Sequence, residues 1–181
     1  MAEATLRHPG TPARTGVWAG LAAIAMMFAA FISALLVRQG ELDWVHVRLP
    51  LILYVNMPVL LVSSGTLERA RARVGDQGRA WLTLTLALGL VFVVGQVLAW
   101  RSLAAQGLLL STNPSSAFFY VLSAVHGLHL LGGVAALIYV RARLHRDPGP
   151  AATGALDALR VYWHFLAVLW LILLLILTVR G

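Results

Sequence analysis

The sequence predicts an all-α integral membrane protein, a bundle of five transmembrane helices, and three observations carry that prediction. Five stretches of about twenty residues or more contain no Asp, Glu, Lys or Arg, and about 20 helical residues suffice to cross the hydrocarbon core of a bilayer. The 181 residues are 60% hydrophobic and 12% charged, whereas soluble domains carry about 25% charged residues and a chain of this length builds about one core. The apolar runs are continuous and rich in Leu and Ala, which separates them from barrel strands, where about ten residues alternate strictly.

The first span, Gly16–Val37, follows a polar start of residues 1–15 containing Arg7 and Arg14. It is longer than a signal-peptide core and no small-residue cleavage site follows, so it is expected to be retained, with residues 1–15 as a tail and 16–181 as the membrane domain. The second span covers Leu49–Leu67 and the third Ala80–Trp100. Asn113-Pro114 opens the fourth, Ser115–Val140, because proline is tolerated in a first helical turn whose amides lack intrahelical partners. Asp147-Pro148-Gly149-Pro150 then separates it from the fifth, whose uncharged run is Val161–Val179 and whose helix is expected to begin near Asp157.

Arginines set the direction, since segments on the cytoplasmic side carry the basic excess. Arg7 and Arg14, then Arg69, Arg71, Arg73 and Arg79, then Arg141, Arg143, Arg146 and Arg160 fall on one side. Arg38, Arg48, Arg101 and Arg180 fall on the other, partly offset by Glu41 and Asp43. The N-terminus is therefore expected inside and the C-terminus outside. The net charge of +7 is accounted for by this pattern at the helix ends, so nucleic-acid binding is not inferred from it. The absence of cysteine excludes disulfides, thiolate metal sites, iron–sulfur clusters and cysteine nucleophiles. All basic residues are Arg, which excludes lysine Schiff-base chemistry.

Polar groups at membrane depth are costly and therefore informative. Asn56 and Ser63-Ser64-Gly65-Thr66 lie in the second span, Gln96 in the third, Ser123, His126 and His129 in the fourth, and His164 in the fifth. No acid or arginine lies at mid-depth, which argues against a pump or ion-coupled transporter. His126 and His129 share a helical face, and His129 and His164 could approach one another between antiparallel helices. One bis-histidine haem, a metal site, or hydrogen bonds across helices are the open readings. Gly127, Gly132 and Gly133 form a small-residue stripe suited to close helix contact. Tyr162-Trp163 is placed at the membrane interface with the other aromatic clusters. Asp157 is expected in the first turn of its helix, where it compensates the helix dipole, and Glu68 just beyond the second span beside Arg69. Asp157, Arg160, His164 and Glu68 could together form a polar stripe that grips a phospholipid, with Arg160 on the phosphate, Asp157 on an amine headgroup and His164 deeper.

The segments Ser115-Ser116-Ala117-Phe118-Phe119-Tyr120 through His126-Gly127-Leu128-His129 to Gly133, and Tyr162-Trp163-His164-Phe165 followed by Trp170, make the chain resemble subunit III of the haem–copper respiratory oxidases in its five-helix bacterial form. Asn56 with Ser63-Ser64-Gly65-Thr66, and Gln96 with Trp100, add weaker support. The resemblance covers nearly all of residues 16–177. It implies an accessory subunit of an aerobic respiratory complex in the bacterial inner membrane, with no catalytic centre, haem or metal of its own. Such a subunit binds phospholipid, supports proton delivery on the cytoplasmic side and packs on a catalytic subunit I that holds the haem and copper, with subunit II alongside. His126, His129, Trp163, His164 and Asp157 match family motif positions, Asp157 standing where the family usually has Glu. Two further positions depart from the pattern: Ile24 replaces a buried Glu, and Leu166-Ala167 replaces Val-Asp after the YWHF motif. Those departures leave lipid binding and assembly as the roles the resemblance implies best. A related branch accompanies nitric oxide reductases, and a small membrane cytochrome is a further alternative.

The arginine distribution yields a test. Reporter fusions at Asp76 and Asp147 should both read as cytoplasmic, and an exterior signal at either one would defeat the assigned direction.

Overall fold

A computed structural model describes residues 11–42, 44, 47–73, 75–147 and 149–180, with side chains from residue 15 onward. Five helices follow one another: α1 Thr11–Arg38, α2 Leu51–Ala72, α3 Asp76–Ala105, α4 Pro114–Arg146 and α5 Pro150–Arg180. All are long and apolar enough to cross a membrane, and no strand occurs among the described residues. At about 1.5 Å per residue, α4 with its 33 residues outruns the hydrocarbon core and extends into the interfacial layer. Residues 1–10 and Asp43 lie outside the described residues; residues 11–15, assigned to the tail by composition, are helical.

The helix ends are set by local chemistry. Asn113 caps α4 by accepting from the Ser116 amide at 2.7 Å while the Ser116 hydroxyl faces the Asn113 amide at 3.4 Å, a reciprocal capping box with Pro114 in the first turn. α3 ends on Gly107 at φ 77°, with the Leu108 amide donating to the Leu103 carbonyl and the Gly107 amide to that of Ala104. That pair of bonds is a Schellman closure, and the positive φ is what glycine supplies. Between α2 and α3 the chain reverses through Gly75, also at positive φ, and a side chain at Gly78 would meet the Arg73 carbonyl oxygen at 2.7 Å. α5 differs from the sequence expectation. It begins at Pro150, so Asp157 lies in its third turn and does not act as a first-turn dipole partner. Charge kept Asp157 and Arg160 out of the apolar run, but charge does not stop a helix; nothing after Pro150 breaks one.

The helices α2, α3, α4 and α5 close a ring of neighbours, α2 pairing with α3, α3 with α4, α4 with α5 and α5 with α2, while α1 packs only on α4 and α5 among the described residues. α1 is accordingly the least buried of the five. Lipid tails are as apolar as leucine, so association rests on close packing and on internal satisfaction of polar groups. The α2–α3 seam shows both. Asn56 Nδ2 donates to the Phe92 carbonyl at 2.8 Å, Ser63 to that of Thr85 at 3.1 Å, and the Thr66 and Thr85 hydroxyls meet at 2.9 Å.

On the other side of the ring, the fully buried indole of Trp163 fills a slot between two glycines. A Cβ at Gly89 of α3 would lie 2.9 Å from the ring, and one at Gly133 of α4 would lie 3.0 Å from it. Trp163 is therefore a core residue and not part of an interfacial belt. Starting the helix at Pro150 puts it about 20 Å along α5. The small-residue stripe divides likewise. Gly133 makes the close contact, whereas Gly132 is exposed with only the Tyr162 hydroxyl within reach, and a Cβ at Gly127 would have no neighbour within 4 Å.

Gly133→Leu should overpack the Trp163 slot and destabilise the bundle by about 1–3 kcal/mol or block folding, while Gly132→Leu leaves the isolated chain intact. Thermal stability and monodispersity in detergent check the pair, and equal behaviour of the two variants would contradict the slot.

Candidate functional site

Two groups of polar side chains gather the residues singled out in the sequence. The first lies at the end of the bundle where α2 finishes and α5 starts. Glu68 of α2 is its hub: Arg160 of α5 donates from Nε to Oε1 at 3.1 Å and from Nη2 to Oε2 at 2.6 Å, a two-pronged pair, and His164 Nε2 donates to Oε1 at 2.5 Å. Arg160 Nη1 also reaches Asp157 Oδ1 at 3.1 Å. Asp157 in turn takes a second two-pronged pair from Arg71, at 2.6 and 3.2 Å. Four charged groups, Arg71, Asp157, Arg160 and Glu68, thus alternate in sign across two helices, and His164 adds a hydrogen bond to Glu68.

Helical spacing builds this cluster. Glu68 and Arg71 are three apart on α2; Asp157, Arg160 and His164 are three and four apart on α5, so each set shares a face. The sequence supplies the α5 stripe and Glu68. It places Glu68 beyond the second span beside Arg69, whereas Glu68 lies within α2 and pairs with α5, and the Arg69 guanidinium stacks over Trp81 at 5.1 Å. Arg71 is the member that sequence reasoning missed, and its spacing from Glu68 was the available signal. Arg160 and Asp157, read as contacts for a lipid phosphate and amine, are engaged with protein partners in this structure.

The second group is interior. His126 is buried and stacks on Trp170 of α5 at 4.9 Å between ring centres, with Phe28 of α1 and Phe92 of α3 edge-on at 6.5 and 6.2 Å. His129 turns its Nδ1 onto the Val125 carbonyl of its own helix at 2.7 Å, and its own carbonyl accepts from the Tyr162 hydroxyl at 2.8 Å. Near the opposite end of the bundle, Trp100 donates to Ser123 at 3.0 Å and Tyr120 to the Leu108 carbonyl at 2.9 Å.

A bis-histidine haem does not fit these positions. His164 is committed to Glu68, His129 to its own helix, and His126 is enclosed by Phe28, Phe92 and Trp170. Among the described residues, no group of three or more His, Asp or Glu side chains is arranged to hold a metal ion.

A groove opens beside the charged end, between α1 and the α4–α5 pair. About 390 Å³ in volume, it is lined by Gly16, Gly20 and Ile24 of α1, Ala136 of α4, and Ala155 and Ala158 of α5 among others.

Fold and site together define a multi-pass helical membrane protein whose ionisable groups tie one helix to another. The family model for cytochrome c oxidase subunit III matches residues 19–181, which span nearly all of the bundle. A probable cytochrome c oxidase subunit 3 of Mycobacterium tuberculosis is 33% identical over 157 residues, covering 82% of this chain and 76% of the relative. A probable quinol oxidase subunit 3 of Staphylococcus saprophyticus is 29% identical over 179 residues, covering 91% and 87%. The cytochrome c oxidase subunit 3 of a Synechocystis strain is 32% identical over 126 residues, covering 66% and 52%. The chain belongs to the cytochrome c oxidase subunit III family.

The geometry at Glu68 makes a quantitative expectation. Exposed ion pairs contribute about 0.2–1 kcal/mol, and the Arg160–Glu68 pair is partly buried and two-pronged, so a double-mutant cycle with Glu68→Gln and Arg160→Gln should give a coupling near the top of that range. Additive effects of the two substitutions would show that the pair does not join α2 to α5.

Proposed function

We propose that this chain is the accessory, non-catalytic subunit III of a bacterial haem–copper respiratory oxidase, stabilising the catalytic subunit and holding phospholipid beside it. The observation that carries the reading is the family match across residues 19–181, because it takes in the bundle itself and not an isolated motif. In this reading haem and copper reside in subunit I, subunit II completes the complex, and the chain sits in the inner membrane with its N-terminus in the cytoplasm and its C-terminus outside. The ten arginines on one side support that direction.

Two features support the assembly and lipid roles. The exposed Gly132, beside Leu128 and Leu131 on α4, offers a face on which a partner helix can approach closely, something lipid does not require. The α1 groove, an almost wholly apolar cleft of mixed small and large side chains at the arginine-rich end, has room for an acyl chain, and an anionic headgroup would lie close to the basic helix ends. Glu68, Asp157, Arg160 and His164 then hold the groove-bearing α5 against α2, and His126, His129 and Trp163 shape the interior behind it.

The lipid role is tested by counting phospholipid in the gently purified complex. Ala158→Phe, which fills the groove, should lower retained phospholipid and shorten the working life of the oxidase under turnover, and wild-type retention in that variant would contradict the groove as a lipid seat. Gly132→Leu should reduce recovery of the assembled complex while leaving membrane insertion unchanged; normal assembly would argue against that face of α4 as the partner contact.

A further inference from the structure

The middle of the bundle holds a polar layer that the helix-tying contacts leave unused. Gln96 of α3, His126 of α4 and Trp170 of α5 are all at least nine-tenths buried. Gln96 Oε1 and Nε2, both ring nitrogens of His126, and Trp170 Nε1 have no hydrogen-bond partner among the described residues. Buried polar groups are paired in all but a few cases, and at membrane depth neither lipid nor bulk water can supply the partner.

Helix register brings the three side chains to one level. On the antiparallel pair α3 and α4, Trp100 bonds Ser123, and a side chain at Gly89 would touch Val134. Those two contacts lie the same number of residues apart on each helix, so the register holds along the pair. Gln96 is therefore level with Gly127, next to His126. On α4 and α5 the contact of Gly133 with Trp163 and the stacking of His126 on Trp170 repeat the same logic. At the level of Gln96, α4 carries no side chain at Gly127, and a Cβ built there meets nothing within 4 Å. Unpartnered polar side chains of three helices thus share one level, and next to His126 the place of a side chain is left empty at Gly127.

We propose that Gln96, His126 and Trp170 form an internal water-binding site, holding one or two water molecules that bridge α3, α4 and α5. A buried water makes about three hydrogen bonds, and the donor and acceptor types match. Trp170 Nε1 and Gln96 Nε2 donate to water oxygen, Gln96 Oε1 accepts from water, and a neutral imidazole does one of each with its two nitrogens. Water joins what these side chains, committed to stacking and packing, do not join directly. The site is separate from the α1 groove and the Glu68 cluster, so it stands whether or not those bind lipid.

Two measurements decide it. In a density map of the assembled oxidase fine enough to show buried waters in the neighbouring subunits, a peak should lie within hydrogen-bonding distance of a His126 nitrogen and of the Gln96 amide. An empty layer, or a direct bond between Gln96 and His126, would overturn the proposal. The substitution Gln96→Leu keeps the side-chain size and removes both amide atoms. With water bound, the variant strands it and lowers the temperature at which the subunit leaves the complex, by about 2–4 °C for each bond lost. If the layer is dry, the same change relieves two unpaired atoms, and an unchanged or raised temperature would overturn the proposal. Should the variant fail to assemble, the wild-type map still returns one answer or the other.

Discussion

The seat of Trp163 between Gly89 and Gly133 is the contact on which the rest of the bundle's geometry depends. A rigid indole between two glycines admits one depth and one rotation of α5 against α3 and α4, since a shift in either direction would drive the ring into a side chain or leave a void that lipid cannot enter. Once it is seated, antiparallel register places Trp170 against His126 and Tyr162 at the His129 carbonyl. The same helix rotation turns Asp157, Arg160 and His164 toward α2, where Glu68 and Arg71 meet them. One close approach therefore positions both the interior polar layer and the charged end.

The charged end complements the seat by chemistry of a different kind. Packing inside the membrane sets position but adds little selectivity between apolar faces, whereas a chain of alternating charges rejects a wrong register through like-charge repulsion. The side chains of Arg71, Asp157, Glu68 and His164 remain two-fifths or so exposed, so desolvation is incomplete and the pairs retain their interfacial solvation. Their placement near the helix ends explains how α2 and α5 each tolerate one acid and one arginine of the cluster. None of them has to lie in the hydrocarbon centre.

Much of this fold was legible in the sequence because a bilayer imposes a length rule: uncharged runs of about 20 residues mark the helices that occur here. The ends were less legible. α5 extends back to Pro150 across Asp157 and Arg160, and a hydropathy reading stops at charge while hydrogen bonding does not. That shortened helix also misplaced Trp163, which sat near the end of the apolar run but lies deep in the actual helix. Among the polar residues, Glu68, Asp157, Arg160 and His164 stood out as ionisable groups near apolar spans. Their pairing crosses 92 residues of chain between Glu68 and Arg160, and no local pattern encodes such a contact. The glycines of α4 looked equivalent in sequence; only the approach of Trp163 separates Gly133 from Gly132 and Gly127.

Membership of an oxidase complex without redox chemistry of its own is the central claim, and an absorption spectrum of the affinity-purified chain tests it most directly. Isolated gently from its membrane, the chain should bring with it the haem spectrum of a catalytic partner, and after dissociation from that partner it should be colourless. Haem retained by the dissociated chain, or a gently purified chain with no haem-bearing partner, would contradict the account.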